Sequence, residues 1–199
     1  MDLRSLKSFA IAARKKLINS VSYKIEYVLS KESSARREHP KAVKELENRI
    51  NSSSQEKVIE QVAHTWFNRF TALQYMDVND FNLVRVILPS VGSSRPEILL
   101  NAKIGDFDNN FISEKTRDRV TALLDGSLAS NDYQKEVYQL LIIDVCNKLH
   151  SILPFMFESI ADYTELLIPN DLLSPTSIVA QVRDALTVEN CKDVEVIGW

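Results

Sequence analysis

The sequence predicts an all-α protein built as a multi-helix bundle, and three observations carry that expectation. The chain has 199 residues, 45% hydrophobic and 26% charged, the composition of a globular protein of one or two domains. It has four Gly and six Pro, too few punctuators for a turn-dense β-sandwich or a Gly-rich phosphate loop. Apolar residues recur at steps of three and four over long stretches, the signature of helices with one buried face.

The elements follow in order. Leu3, Leu6, Ala10, Ala13, Leu17, Val21, Ile25 and Val28 form one continuous stripe, which predicts a long amphipathic helix over about residues 3–29. Arg4, Lys7, Arg14, Lys15, Lys16 and Lys24 sit on its other faces. The polar run SKESSARREHP then reads as a loop or linker closed by Pro40. Lys41 to Ile50 predicts a short charged helix with Lys41–Glu45 and Lys44–Glu47 pairs. Ser53 followed by Glu56 has capping-box spacing, so a strong helix is expected from there. Its face of Ile59, Val62, Ala63, Trp66, Phe70, Leu73 and Met76, with Phe67 beside it, marks the central helix of the fold.

The β-branched run FNLVRVILP reads as a short strand, with room for one small β-hairpin near residues 81–92. A short helix at Pro96 to Ala102 follows, with proline in its first turn. The next is expected near Glu114 to Leu124, ended by Asp125 and a left-handed Gly126. Asn131 is placed to cap a helix from Tyr133 to His150 that is apolar on most faces and therefore interior. FMFESIADYTELLIP predicts another helix, and Ile178, Val179, Val182 and Leu186 mark the last. The expected organisation is a basic N-terminal helix and linker over 1–40 and a helical bundle domain over 41–199.

The net charge of −3 conceals a split. Residues 1–70 carry 14 Lys and Arg against 8 Asp and Glu, a net of +6, and residues 71–199 carry a net of −9. Arg14, Lys15, Lys16, Lys31, Arg36 and Arg37 are the candidate contacts to DNA phosphates, where counterion release drives sequence-independent affinity. A solvated helical surface has the same arithmetic, and no base-reading motif accompanies these residues. No apolar run approaches the roughly 20 residues that cross a bilayer, so no membrane partner is expected and the expected location is cytoplasmic. Cys146 and Cys191 are too few for a disulfide framework and are expected as thiols.

Candidate chemistry is sparse. Asp106, Asp108 and Asn110 open like a calcium loop, but the position that needs Gly is Phe111 and the one that needs a bidentate carboxylate is Arg117. Cys146 and His150, four apart on one helix, are two ligands without a second pair, and no metal is expected. His64, beside Trp66, is expected as a partly buried imidazole bonded to a neighbour. There is no GxSxG, P-loop, HExxH or GxGxxG motif. No catalytic, cofactor-binding or metal residue is therefore assigned.

The run AHTWFNRFTALQYMDVNDF, at Ala63 to Phe81, resembles the N-terminal region of the PglX family, the adenine-specific DNA methyltransferases of BREX phage-defence systems, which are themselves similar to large type II restriction–modification polypeptides. VRVILPS, RPEILLNA, YQKEVYQLLIIDVCNKLHSILPFMFE, ELLIPNDLLSPTSIV and VEVIGW agree in order, covering most of residues 55–199. Trp66, Phe67, Asn68, Arg69, Phe70, Tyr75 and Met76 carry the resemblance; aromatic residues at this spacing are core residues by default, and Asn68 and Arg69 are expected to anchor the loop that follows.

The resemblance implies methyl transfer from S-adenosylmethionine to adenine N6 in DNA, with the base flipped from the stack. The family's Asp-Pro-x-Cys-Gly-Ser-Gly and Asn-Pro-Pro-Tyr motifs are both absent, so no cofactor is expected in this chain and it is expected to be inactive alone. It ends on Ile197 and Trp199 where the family's chain continues, so the expectation is an N-terminal accessory domain cut from a much larger methyltransferase. Its partners would be the remainder of that chain, duplex DNA and other defence-system proteins. The rival expectation is a protein-interaction or scaffolding domain without DNA contact.

Overall fold

A computed structural model describes residues 3–154, 157 and 162–191 of the chain. Among them the fold is helical: α1 (Leu3–Leu29), α2 (Ala35–Glu38), α3 (Pro40–Ser52), α4 (Gln55–Val78), α5 (Glu97–Lys103), α6 (Glu114–Leu124), α7 (Tyr133–Ile152), α8 (Asp162–Leu166) and α9 (Ile178–Ala185). The expected all-α bundle is what forms.

The centre is α4. From Arg69 to Asp77 every residue is buried, so this half of the helix is covered on all sides, whereas its first half buries only a stripe. The Trp66 and Phe70 rings stack with centroids 5.5 Å apart, and the Trp66 indole N–H donates to the Thr164 carbonyl of α8 at 3.2 Å. A ring pair of this kind contributes about 1 kcal/mol beyond its buried area. Helix α1 lies across α4 and α9 through Ala13, Leu17, Val21, Ile25 and Val28. Helices α5 and α6 pack on α7, whose Val137, Tyr138, Leu141, Ile142, Val145, Cys146 and Leu149 are buried.

Three local expectations are corrected. The cap of α4 is Ser54, extended at φ −164° and ψ 160°, whose hydroxyl accepts from the Lys57 amide at 3.3 Å. Ser53 instead turns its hydroxyl back to the Arg49 carbonyl and closes α3. The shift by one residue puts Lys57 where a capping box needs a carboxylate, so no box forms. Likewise Asp132, not Asn131, caps α7, accepting from the Lys135 amide at 3.2 Å. The linker expected as a loop contains α2, whose Arg36 donates to the Leu29 and Ser30 carbonyls at 2.7 and 3.0 Å and so caps the end of α1.

The β-hairpin near residues 81–92 does not form. The nearest thing to it is a single antiparallel bridge between Pro89 and Pro96, two residues that lack the amide a ladder would need. The β-branched run is held by a side chain instead. Asp77 accepts from the amides of Val86, Ile87 and Leu88 at 3.1, 2.6 and 2.9 Å and from the Asn82 side chain at 2.7 Å. With three amides pointed at one carboxylate, no partner strand can be recruited. The helix expected in FMFESIADYTELLIP is seen as α8 at its later part, and residues 155, 156 and 158–161 lie outside the described set, as does VEVIGW.

Candidate nucleic-acid interface

The structure sorts the six basic candidates into two groups. Lys16 donates its ammonium to the Thr176 carbonyl at 2.5 Å, tying α1 to the turn before α9. Arg36 caps α1 and pairs with Glu47 at 2.9 Å. Arg14 pairs with Glu60 of α4 at 3.2 Å, with both side chains largely exposed. Lys15, Lys31 and Arg37 are exposed and make no hydrogen bond or ion pair among the described residues. The six therefore do not form one continuous patch of available charge.

The sequence around them has a feature the charge count missed. Residues 3–25 hold six Lys and Arg and no Asp or Glu, and Glu26 is the one carboxylate of α1. Of those six cations Lys24 is drawn inward as well: its ammonium donates to Asn170 Oδ1 at 2.7 Å, and burial beside Lys135 pulls its pKa down to about 8. A cation at that depth belongs to the packing.

The residues that carry the family resemblance lie in the core. Trp66, Arg69, Phe70, Tyr75 and Met76 are buried, and Phe67 and Asn68 are half-buried. The Arg69 guanidinium sits 5.7 Å from the Trp66 ring centroid and beside the Cys146 thiol, which burial pushes up to about 11 and so keeps protonated. Among the described residues the Asn68 side chain does not anchor the next loop as expected. Asn68 bonds to His64 at 3.3 Å, one turn back, and the loop is anchored by Asp77. Burial pushes the Asp77 carboxyl up while its four donors pull it back. His64 is exposed rather than partly buried.

The other candidates hold structure together. Asp108 accepts from the Asn110 amide at 2.8 Å, an Asx turn, and Arg117 of α6 donates to Asn109. His150 Nδ1 donates to the Phe157 carbonyl at 2.6 Å. Among the described residues no three His, Cys, Asp or Glu side chains gather as metal ligands do, and no helix is long and apolar enough to cross a membrane.

Gly92, Gly105 and Gly126 have positive φ, but each lies alone in a turn, and among the described residues no strand runs into a helix through a Gly-containing loop. The chain also has a small cleft of about 30 Å³ between the Asp77-held loop, α5 and α7. Leu83, Val84, Phe107 and Phe111 line it, and Leu83 is 83% exposed.

Comparison with known proteins gives the relationship. No protein-family model matches the chain. It is 30% identical over 156 residues to the adenine-specific methyltransferase BrxX of Escherichia coli O9:H4 (strain HS), a match covering 77% of this chain and 12% of that protein. It is 28% identical over an alignment of 233 positions to the adenine-specific methyltransferase PglX of Lacticaseibacillus casei (strain Zhang), covering 100% of this chain and 19% of that one. The chain thus spans less than a fifth of the curated relatives it matches. Over most of its own length, then, it is a PglX-like relative of the adenine-specific methyltransferases.

Proposed function

We propose that this chain acts as a helical accessory domain of an S-adenosylmethionine-dependent, adenine-specific DNA methyltransferase of the BREX type, working in the cytoplasm within phage defence. It braces the catalytic part and contacts DNA, with residues 1–40 as the DNA-facing layer and 41–199 as the body. On its own it transfers no methyl group, since the chemistry resides in motifs this sequence lacks.

The observation that carries the DNA part is the carboxylate-free stretch 3–25 of α1, whose outer face is exposed. Its expected behaviour is salt-sensitive, sequence-independent binding. The test is fluorescence anisotropy with a labelled duplex at two salt concentrations, comparing wild type with the Arg14→Glu/Lys15→Glu variant. Lys16 is left in place because it ties α1 to Thr176. Expected is roughly a tenfold loss of affinity and a flatter salt dependence; equal binding by both proteins would falsify the DNA half.

A second reading, a scaffolding domain without DNA contact, is favoured by one observation. Leu83 stands open on an apolar cleft, while three of the six basic candidates are engaged within the fold. Methylation by the full enzyme that needs this domain, with no duplex binding by the domain itself, would select that reading.

A further inference from the structure

The outer face of α1 carries a row that the charge pattern alone does not reveal. Lys15, Asn19, Tyr23 and Tyr27 follow at intervals of four, all exposed, the two tyrosines by 74% and 57%. None of the four side chains makes a hydrogen bond or ion pair among the described residues. Each ends in a hydrogen-bond donor: an ammonium, an amide N–H or a phenol O–H. An isolated exposed tyrosine needs no explanation, but two in register with a lysine and an asparagine form one surface.

Steps of four advance about 6 Å along a helix and wind about 40° around it, so the row is a gently turning line roughly 18 Å long. Successive phosphates of one strand lie roughly 7 Å apart along the backbone, about twice their ~3.4 Å spacing on the duplex axis, so the row spans about three phosphates. Lys, Asn and Tyr are among the side chains that donate to phosphate oxygens, fixing a protein's register on the duplex without reading sequence. The charge is complementary, because α1 carries six Lys and Arg against one carboxylate, Glu26. Between Tyr23 and Tyr27 in sequence, exposed Glu26 is the one feature that opposes an anion.

We infer that the Lys15–Asn19–Tyr23–Tyr27 row is the surface by which this chain lies along one phosphate strand of duplex DNA. This rests on the DNA-contact reading above and replaces Lys16 and Arg36, which the fold engages, with Asn19, Tyr23 and Tyr27. The row positions the duplex and reads no base.

The test uses the 199-residue chain and a labelled duplex, titrated across a salt series. Tyr23→Phe/Tyr27→Phe removes only the two hydroxyls and is expected to weaken binding about three- to tenfold while leaving the slope of log affinity against log salt unchanged. Lys15→Gln is expected to weaken binding and flatten that slope by about 0.9. Glu26→Gln is expected to strengthen binding about two- to threefold. A merely structural role would move none of these, and thermal melting should be unchanged in all of them. Wild-type binding that persists at the same affinity in the tyrosine and lysine variants overturns the row and leaves DNA contact elsewhere on the chain. A wild-type chain that binds no duplex overturns the DNA-contact reading and the row with it.

Discussion

The second half of α4 and the outer face of α1 are both rich in hydrogen-bonding side chains, and they put them to opposite use. In α4, Thr71 bonds back to the Phe67 and Asn68 carbonyls, Gln74 donates to the Leu186 carbonyl at 2.9 Å, and Asp77 gathers four donors, all in the interior. In α1, Lys15, Asn19, Tyr23 and Tyr27 have the same capacity and leave it facing solvent. Residue type does not separate the two regions; position on the helix does. The motif that carries the family resemblance lies in the first region, where its side chains serve the packing. A binding surface has to be sought where polar groups remain unengaged.

The largest expected effect breaks the comparison on the buried side. Asp77→Ala leaves the buried Val86 and Ile87 amides and the half-buried Leu88 amide without their acceptor. Each unsatisfied amide costs about 1–3 kcal/mol, less than additively, so a loss of roughly 3–5 kcal/mol in urea unfolding is expected. For a chain of this size that is a drop in melting temperature of roughly 10 °C or more. Asp77→Asn keeps an acceptor but aims an amide at donors, and should fall between. A loss below about 1 kcal/mol for the alanine variant would mean that the loop is held by Val86 and Ile87 packing, not by the carboxylate.

This clamp also shows where the sequence stopped being legible. Helices α1, α4, α6, α7 and α9 were readable because each buries a stripe whose period is written in its own residues. Asp77 was not, because its partners lie 9 to 11 residues on and are backbone amides that have no sequence signature. A β-branched run looks the same whether its amides meet a strand or a carboxylate, so FNLVRVILP read as a strand. Helix α2 has only four residues and so no periodicity to detect.

The site was less legible than the fold for a related reason. Lys15 and Lys16 are neighbours of one type, and what separates them is the Thr176 carbonyl 160 residues away. The tyrosine row is present as an i, i+4 pattern off the apolar stripe, but the sequence does not say whether another element covers that face.

A smaller effect sharpens the same line. Arg36 stood among the candidate phosphate contacts, yet it caps α1 at Leu29 and Ser30 and pairs with a Glu47 that is itself half-exposed. Arg36→Met should therefore cost stability, on the order of 1 kcal/mol with the exposed ion pair discounted. Duplex affinity should be unchanged once the protein is folded. A variant of wild-type stability that has lost DNA affinity would place Arg36 on the interface after all.

The smallest effect is read through pH. Lys24 titrates near 8 in the folded chain because it is half-buried beside Lys135, with Glu136 pulling the other way, against 10.5 for an ordinary lysine. Below pH 8 the ammonium is charged in folded and unfolded chains alike, and the cost of burying it is fully present. Between pH 8 and 10.5 the unfolded chain binds more protons, so this group's contribution to stability rises with pH across that window. Lys24→Met removes the titration and keeps an apolar stem of similar length. Melting both proteins at pH 7.5 and 9.5 should show wild type gaining on the variant by something on the order of 1 kcal/mol or less, since part of the group meets solvent. Titrations shared by the two proteins cancel in that difference. A gap that does not move with pH would mean that Lys24 is solvated, returning it to the outer face of α1 and to the set of cations open to DNA.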